Sequence, residues 1–174
     1  KQQQKILING AGGGVGSFAL QIAKLQQCEV TGVDTGDKLA MMKANGFDQV
    51  LDYKKTDFTK TSERFDRILD CKTTRSPFAY LRSLKPGGHY ITIGGRVSRL
   101  LQVLVLKKII NLFTGKKLSI LSLQSNKGIE DIEALYIQGK LKCVIDGPYP
   151  LQDVPKLIQY FGEGKHKGKI VMKV

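Results

Sequence analysis

"KILINGAGGGVGSFALQIAK", Lys5 to Lys24, is the stretch on which the fold turns. An aliphatic run of strand length leads into four glycines within five residues. Val15, Phe18, Ala19, Ile22 and Leu25 then recur at helical spacing and make one apolar stripe. A helix that starts near Gly14 aims unpaired backbone N–H groups and the positive end of its dipole at whatever lies before it. Ala11, Gly13 and Gly16 stand where a dinucleotide turn needs a small residue for the bend, one for close approach to a pyrophosphate, and one for packing of helix on strand. A dinucleotide, S-adenosylmethionine, or a purely structural turn each suit this local pattern.

Outward from the turn, short β-branched runs alternate with helically periodic segments. This pattern predicts βαβ units and a parallel sheet. Strands are expected at 5–9, 29–34, 49–53, 67–71, 89–94 and 117–123, with a terminal strand in "KIVMKV". Helices are expected from Gly14, over 37–45 with Gly46 as the stop, from Ser76 and Pro77 up to "KPGG", over 99–113, and over 151–162. The fold class is therefore α/β, a Rossmann-type doubly wound parallel sheet of about six strands with helices on both faces. Beyond Gly139 the composition changes, and three of the five prolines fall there. Residues 1–139 read as the dinucleotide-binding domain and 140–174 as a separate structural layer.

With 174 residues, 41% hydrophobic and 25% charged, the chain has the composition of a soluble globular protein. Its longest apolar stretch, Leu100 to Phe113, is broken by Gln102, Lys107 and Lys108 and is too short to span a membrane. "KQQQK" lacks both an initiator methionine and the core of a signal peptide, so a fragment of a longer protein is expected. Cys28, Cys71 and Cys143 fit neither a disulfide framework nor a zinc ribbon. They read as reduced thiols of a cytoplasmic protein. His89 and His166 have no Cys or carboxylate at ligand spacing, and no metal site is expected. The net charge of +13 favours phosphate-bearing ligands. Its lysines are spread along the chain without interleaved aromatics, which speaks against a specific nucleic-acid reader.

Asp34 ends the second strand, where a carboxylate accepts hydrogen bonds from a ribose diol, and Thr35 follows it on the same rim. That position suits NAD(H), or the ribose of S-adenosylmethionine. Lys38 and Tyr53 point the other way, since a cation and a phenol beside the adenosine suit a 2′-phosphate and hence NADP(H). Gly94 and Gly95 fall at the carboxyl end of the fifth strand, where a flat nicotinamide could lie against bare backbone.

Taken in order, "ILINGAGGGVG", "VTGVDTGDKL", "GFDQVLDY", "FDRILDC", "LKPGGHYITIGG", "VIDGPYPLQDVPKLIQYF" and "GKIVMKV" resemble the medium-chain dehydrogenase/reductase superfamily, in its zinc-independent quinone oxidoreductase branch. The resemblance implies hydride transfer from a nicotinamide cofactor, NADP(H) favoured, to a quinone or another activated carbonyl or enone. It implies a pyrophosphate loop at Ala11, Gly13, Gly14, Val15 and Gly16, a 2′-phosphate site at Lys38 and Tyr53, and a nicotinamide site at Gly94 and Gly95. Asp34 departs from the branch, which commonly has a small or neutral residue there. Residues 140–174 would rejoin a GroES-like catalytic domain that precedes the first strand in such proteins, so this chain alone is expected to be inactive. A homodimer joined through the edge strand near 117–123 is implied as well. The rival readings are a methyltransferase using S-adenosylmethionine and a non-enzymatic basic module bound to RNA or a membrane surface. Asn9, where a methyltransferase usually has an acid, argues against the first.

Overall fold

The computed structural model describes residues 3–122 and 124–174. Six parallel strands, β1 (Lys5–Asn9), β2 (Glu29–Asp34), β3 (Gln49–Asp52), β4 (Phe65–Asp70), β5 (Leu84–Thr92) and β6 (Lys117–Ile120), form one sheet in the order β3-β2-β1-β4-β5-β6. The chain runs outward from β1 in one direction, then returns and runs outward in the other. The reversal leaves a crevice at the carboxyl ends of β1 and β4, where open α/β sheets hold ligands.

Alternation along each strand divides the core in two, because successive side chains point to opposite faces. Leu7, Val33, Ile68 and Tyr90 face α3 (Pro77–Ser83) and α4 (Val97–Phe113), and pack with Tyr80, Val103 and Ile110. Ile8 and Val30 face α1 (Gly14–Leu25) and α2 (Leu39–Ala44), and pack with Leu20, Ala23, Met42 and Phe47. Helices therefore cover both faces, as the periodicity predicts.

Several boundaries differ from the sequence reading. The strand expected over 49–53 stops at Asp52, and Tyr53 lies in a turn. The helix from Pro77 ends at Ser83, one residue short of "KPGG" (85–88), as expected, but "KPGG" itself is not a loop. Those residues belong to β5 and bulge from it: pairing with β4 passes from Phe65–Leu84 directly to Arg67–His89. Gly87, with φ +73°, permits the detour. Ser76 stands at the N-cap with extended backbone, but its hydroxyl makes no capping bond. The fifth strand ends at Thr92, so Gly94 and Gly95 lie just beyond it. The sixth covers Lys117–Ile120, and Leu123 of the expected strand is outside the described residues.

After β6 the chain forms α5 (Ile129–Ile137), then β7 (Ile145–Pro150), α6 (Val154–Gly162) and β8 (Lys169–Lys173). β7 and β8 pair in parallel as a separate two-stranded sheet. Prolines at 148 and 150 mask β7 in the sequence; the ladder skips between Asp146 and Tyr149, which accommodates Pro148. Asp146 ties this unit together by accepting from the Tyr149 and Tyr160 hydroxyls and from the Lys167 backbone N–H. Contacts back to the large sheet run through α1: the Gln21 amide bonds both the carbonyl and the N–H of Lys142, at 2.9 and 2.7 Å. A second link joins Gly168 N–H to the Gly12 carbonyl at 3.1 Å.

Candidate functional site: the glycine turn and the cavity above it

The turn after β1 is built from backbone. The Val33 carbonyl accepts from Gly10 N–H at 2.9 Å and from Ala11 N–H at 3.1 Å, which bends the chain sharply at Gly10 (φ +85°). Gly13 caps α1 in an extended conformation, and its carbonyl accepts from Ser17 N–H at 3.0 Å. Gly16 sits against Ala11 so closely that a Cβ would lie 2.4 Å from the Ala11 oxygen and 2.5 Å from its Cα. This contact sets helix on strand, and both residues are buried behind the turn rather than offered to a ligand.

Asp34, at the end of β2, bonds into the turn from the side. Its Oδ2 accepts from Gly12 N–H at 2.8 Å and its Oδ1 from Thr35 N–H at 2.8 Å. Lys38 Nζ lies 3.6 Å from Oδ1, and both side chains are almost fully buried. Burial pushes the Lys38 ammonium below its usual range, opposed by the attraction of Asp34. The two residues that the sequence sets against each other are thus partners in one ion pair. Tyr53 donates its backbone N–H to the Asp34 carbonyl at 3.1 Å, while its ring is half exposed. Thr35 starts the short 3-10 turn Gly36–Lys38.

A cavity of about 550 Å³ lies over the turn, between the carboxyl rim of the large sheet and the α6–β8 unit. Of the residues expected at a cofactor site it brings together Gly13, Gly14, Val15, Asp34 and Lys38. Ala11, Gly16, Thr35, Tyr53, Gly94 and Gly95 do not line it. The far wall, which the sequence reading did not anticipate, is Leu157, Phe161, His166, Gly168 and Lys169, with Cys71 and Lys72 at the floor.

The far wall is basic. Lys169 crosses the start of α1, where a Cβ on Gly14 would meet its Cε at 2.7 Å and its Nζ at 3.1 Å. The His166 ring stacks on Phe161 with centroids 4.5 Å apart, and its Nδ1 is buried with no hydrogen-bond partner among the described residues. Burial, together with Lys38 and Lys72, disfavours the imidazolium and lowers the His166 pKa. Lys72, Lys169, the Asp34-paired Lys38, an orphaned ring nitrogen and a helix N-terminus surround one space, an arrangement suited to a multiply charged anion.

Beside the cavity the rim is held by a buried polar network. Asp70, fully buried at the end of β4, accepts from Asn9 Nδ2 at 2.8 Å, the Tyr90 hydroxyl at 2.9 Å, and the backbone N–H groups of Lys72 and Thr73 at 2.9 Å. The Thr73 hydroxyl contacts that of Thr92 and donates to the Gly94 carbonyl at 2.7 Å. Gly95 (φ +142°) passes so near the Lys72 carbonyl that a Cβ would lie 2.3 Å from its oxygen. The Gly94–Gly95 segment is thereby fixed to the turn at Lys72–Thr73 that follows β4, and among the described residues none beyond its chain neighbours comes within 4 Å of the place where a Gly94 Cβ would be.

The thiol that lines the cavity is held protonated. Burial and the neighbouring Asp70 push the Cys71 thiol up to about 12, so it stays protonated at neutral pH. Among the described residues no three His, Cys, Asp or Glu side chains come together as a metal site.

The strand order and the glycine turn at its switch point define a Rossmann-type domain. A family model described as zinc-binding dehydrogenase matches residues 45–172, and the chain belongs to that family. This is the medium-chain dehydrogenase/reductase group that the motifs resemble. Curated relatives include a zinc-type alcohol dehydrogenase-like protein of Schizosaccharomyces pombe (28% identical, covering 99% of this chain and 52% of that protein) and a trans-enoyl reductase of Aspergillus terreus (30%, 98% and 52%). The mitochondrial NAD(P)H oxidoreductase RTN4IP1 of Bos taurus is 30% identical over 98% of this chain and 48% of its own length. The quinone oxidoreductase of Coxiella burnetii superposes with a TM-score of 0.80 at 24% identity, covering all of this chain and 54% of that one. The chain spans about half the length of the curated relatives it matches.

Proposed function

We propose that this chain is the cofactor-holding half of an NAD(P)H-dependent oxidoreductase that passes hydride to a quinone or another activated carbonyl or enone. The observation that carries the reading is the meeting of the Gly13–Gly14 helix start with Lys72, His166 and Lys169 around one cavity. A pyrophosphate matches that set in charge and in hydrogen-bonding demand. The names of the relatives, which include an enoyl reductase, a quinone oxidoreductase and an NAD(P)H oxidoreductase, agree with it in reaction class.

In this account the protein binds and orients, and the nicotinamide supplies the hydride. Gly13 and Gly14 leave the helix N–H groups open. The Asp70 network sets the backbone path of Gly94 and Gly95, so that a flat ring can rest there. Leu157 and Phe161 close the cavity with apolar surface that excludes water.

For the cofactor we favour NADP(H). Asp34 spends its charge on Lys38 and on two backbone N–H groups, which removes the repulsion a free carboxylate would exert on a 2′-phosphate. Lys38 and the exposed Tyr53 remain candidates for the phosphate itself. Residues 1–139 form the cofactor domain in this reading, and 140–174 the return to a catalytic domain; the separate β7–β8 sheet supports the division. The open edge of β6 is the natural place for a second copy to pair, since among the described residues no strand lies beside it.

The test is an assay of the full-length protein for oxidation of NADPH and of NADH against a panel of quinones and enones. Turnover with at least one electron acceptor, faster with NADPH, is expected. Failure with every acceptor by a folded, cofactor-binding protein would overturn the reductase reading.

A further inference from the structure

α4 is apolar on both sides. Its inner face buries Val103 and Ile110 against the core. Its outer face leaves Leu101, Leu104, Val105, Leu112 and Phe113 between 49 and 77% exposed. At 3.6 residues per turn the first four of these fall within roughly 100° of one another, with Phe113 beside them at the helix end. Such a stripe facing water marks a surface with a partner.

The surrounding charge says which kind. Residues 71–129 contain 11 lysines and arginines and no aspartate or glutamate. Lys108 stands within the stripe, Arg96 just before the helix, and Lys117 just beyond it; all three are exposed. Among the described residues none of the three forms an ion pair.

We propose that the outer face of α4 lies on an anionic lipid surface, with its apolar side chains in the acyl boundary and Arg96, Lys108 and Lys117 against lipid phosphates. A helix with an aliphatic and aromatic stripe among long basic side chains fits a bilayer interface, because those side chains reach the headgroups while their stems stay in apolar surroundings. A second copy fits poorly. Two-fold pairing through α4 would bring the Lys108 side chains of the two copies near one another with no acid in the segment to offset them. Nucleic acid would answer the charge but not the stripe. Pairing along the β6 edge uses backbone groups and makes no demand on the outer face of α4. The proposal stands independently of the reductase reading.

The chain has no tryptophan, so Phe113→Trp introduces a single reporter at the end of the stripe. Vesicles of phosphatidylcholine with phosphatidylserine are compared with vesicles of phosphatidylcholine alone, in the full chain. Sedimentation with the anionic vesicles and a blue shift of the reporter are expected. Leu101→Ser/Leu112→Ser should weaken binding by about tenfold, and added salt should weaken it further. Circular dichroism establishes that the variants, all at exposed positions, remain folded. Absence of binding, binding with an unshifted reporter, or equal binding by the double serine variant would each overturn the proposal. So would a blue shift that grows with protein concentration without lipid, which would identify a second copy as the occupant. RNA that binds the chain and leaves the reporter unshifted while vesicles do not bind would overturn it too.

Discussion

Asp34 Oδ2 accepts the backbone N–H of Gly12 at 2.8 Å, and its other oxygen lies 3.6 Å from Lys38 Nζ. The carboxylate that closes β2 thus holds the glycine turn after β1, and a buried lysine neutralises it. Removing one partner of a buried ion pair leaves the other charge without compensation. Asp34→Asn should therefore destabilise the chain by about 3 kcal/mol, a typical cost for such a break. Asp34→Asn combined with Lys38→Met should lose much less than the two single costs added, as read from urea unfolding midpoints.

Gly16 and Gly14 make a matched pair of tests. A methyl at Gly16 would collide with the Ala11 backbone, which cannot yield without separating α1 from β1. Gly16→Ala should lower stability by about 3 kcal/mol, the upper end for overpacking. At Gly14 the obstruction is the flexible end of Lys169. Gly14→Ala should leave the thermal midpoint nearly unchanged while displacing Lys169 and reducing dinucleotide affinity.

Tyr90 and Asp70 bind each other in a fully buried place. Burial and the Asp70 charge both raise the Tyr90 pKa, so the phenol remains a donor throughout the working pH range. Tyr90→Phe removes that donor and should cost about 2 kcal/mol, as expected when a buried charged acceptor loses a partner. Chemical denaturation measures it.

His166 makes stability depend on pH. Its folded-state pKa lies below the unfolded value, so the unfolded chain binds the proton more readily. Its contribution is present above the unfolded pKa, about 6.5, and is lost as pH falls from there through the lower folded value. Between pH 7.5 and 5.5 the wild-type chain should lose more thermal stability than His166→Gln. Equal losses would remove His166 from the account.

Much of this architecture is legible in the sequence. The aliphatic run before Gly10 and the stripe after Gly14 fix β1, the turn and α1, and the spacing of the later β-branched runs yields the parallel sheet. "KPGG" misleads because glycine and proline mark a bulge within a strand as readily as the loop before it. β7 is hidden for a related reason, since a strand in a two-stranded sheet tolerates the prolines that argue against a central one. Asp34 and Lys38 are visible as residues but not as partners, because their pairing depends on the path of a 3-10 turn after β2. The far wall of the cavity leaves only a faint sign in "KHKGK". His166 reaches the turn through a contact between Gly168 and Gly12 that no local pattern encodes.

On the proposed function, the glycine turn and the basic wall opposite it hold a nicotinamide dinucleotide. Titration of the purified chain with NADPH, followed through the cofactor's own fluorescence, tests it most directly because the chain carries no tryptophan to interfere. Saturable binding is predicted, tighter for NADPH than for NADH, about tenfold or more weaker in Lys169→Ala, where a charge-assisted contact is lost, and absent in Gly13→Glu. A folded chain that binds neither cofactor, or that binds S-adenosylmethionine instead, would contradict it.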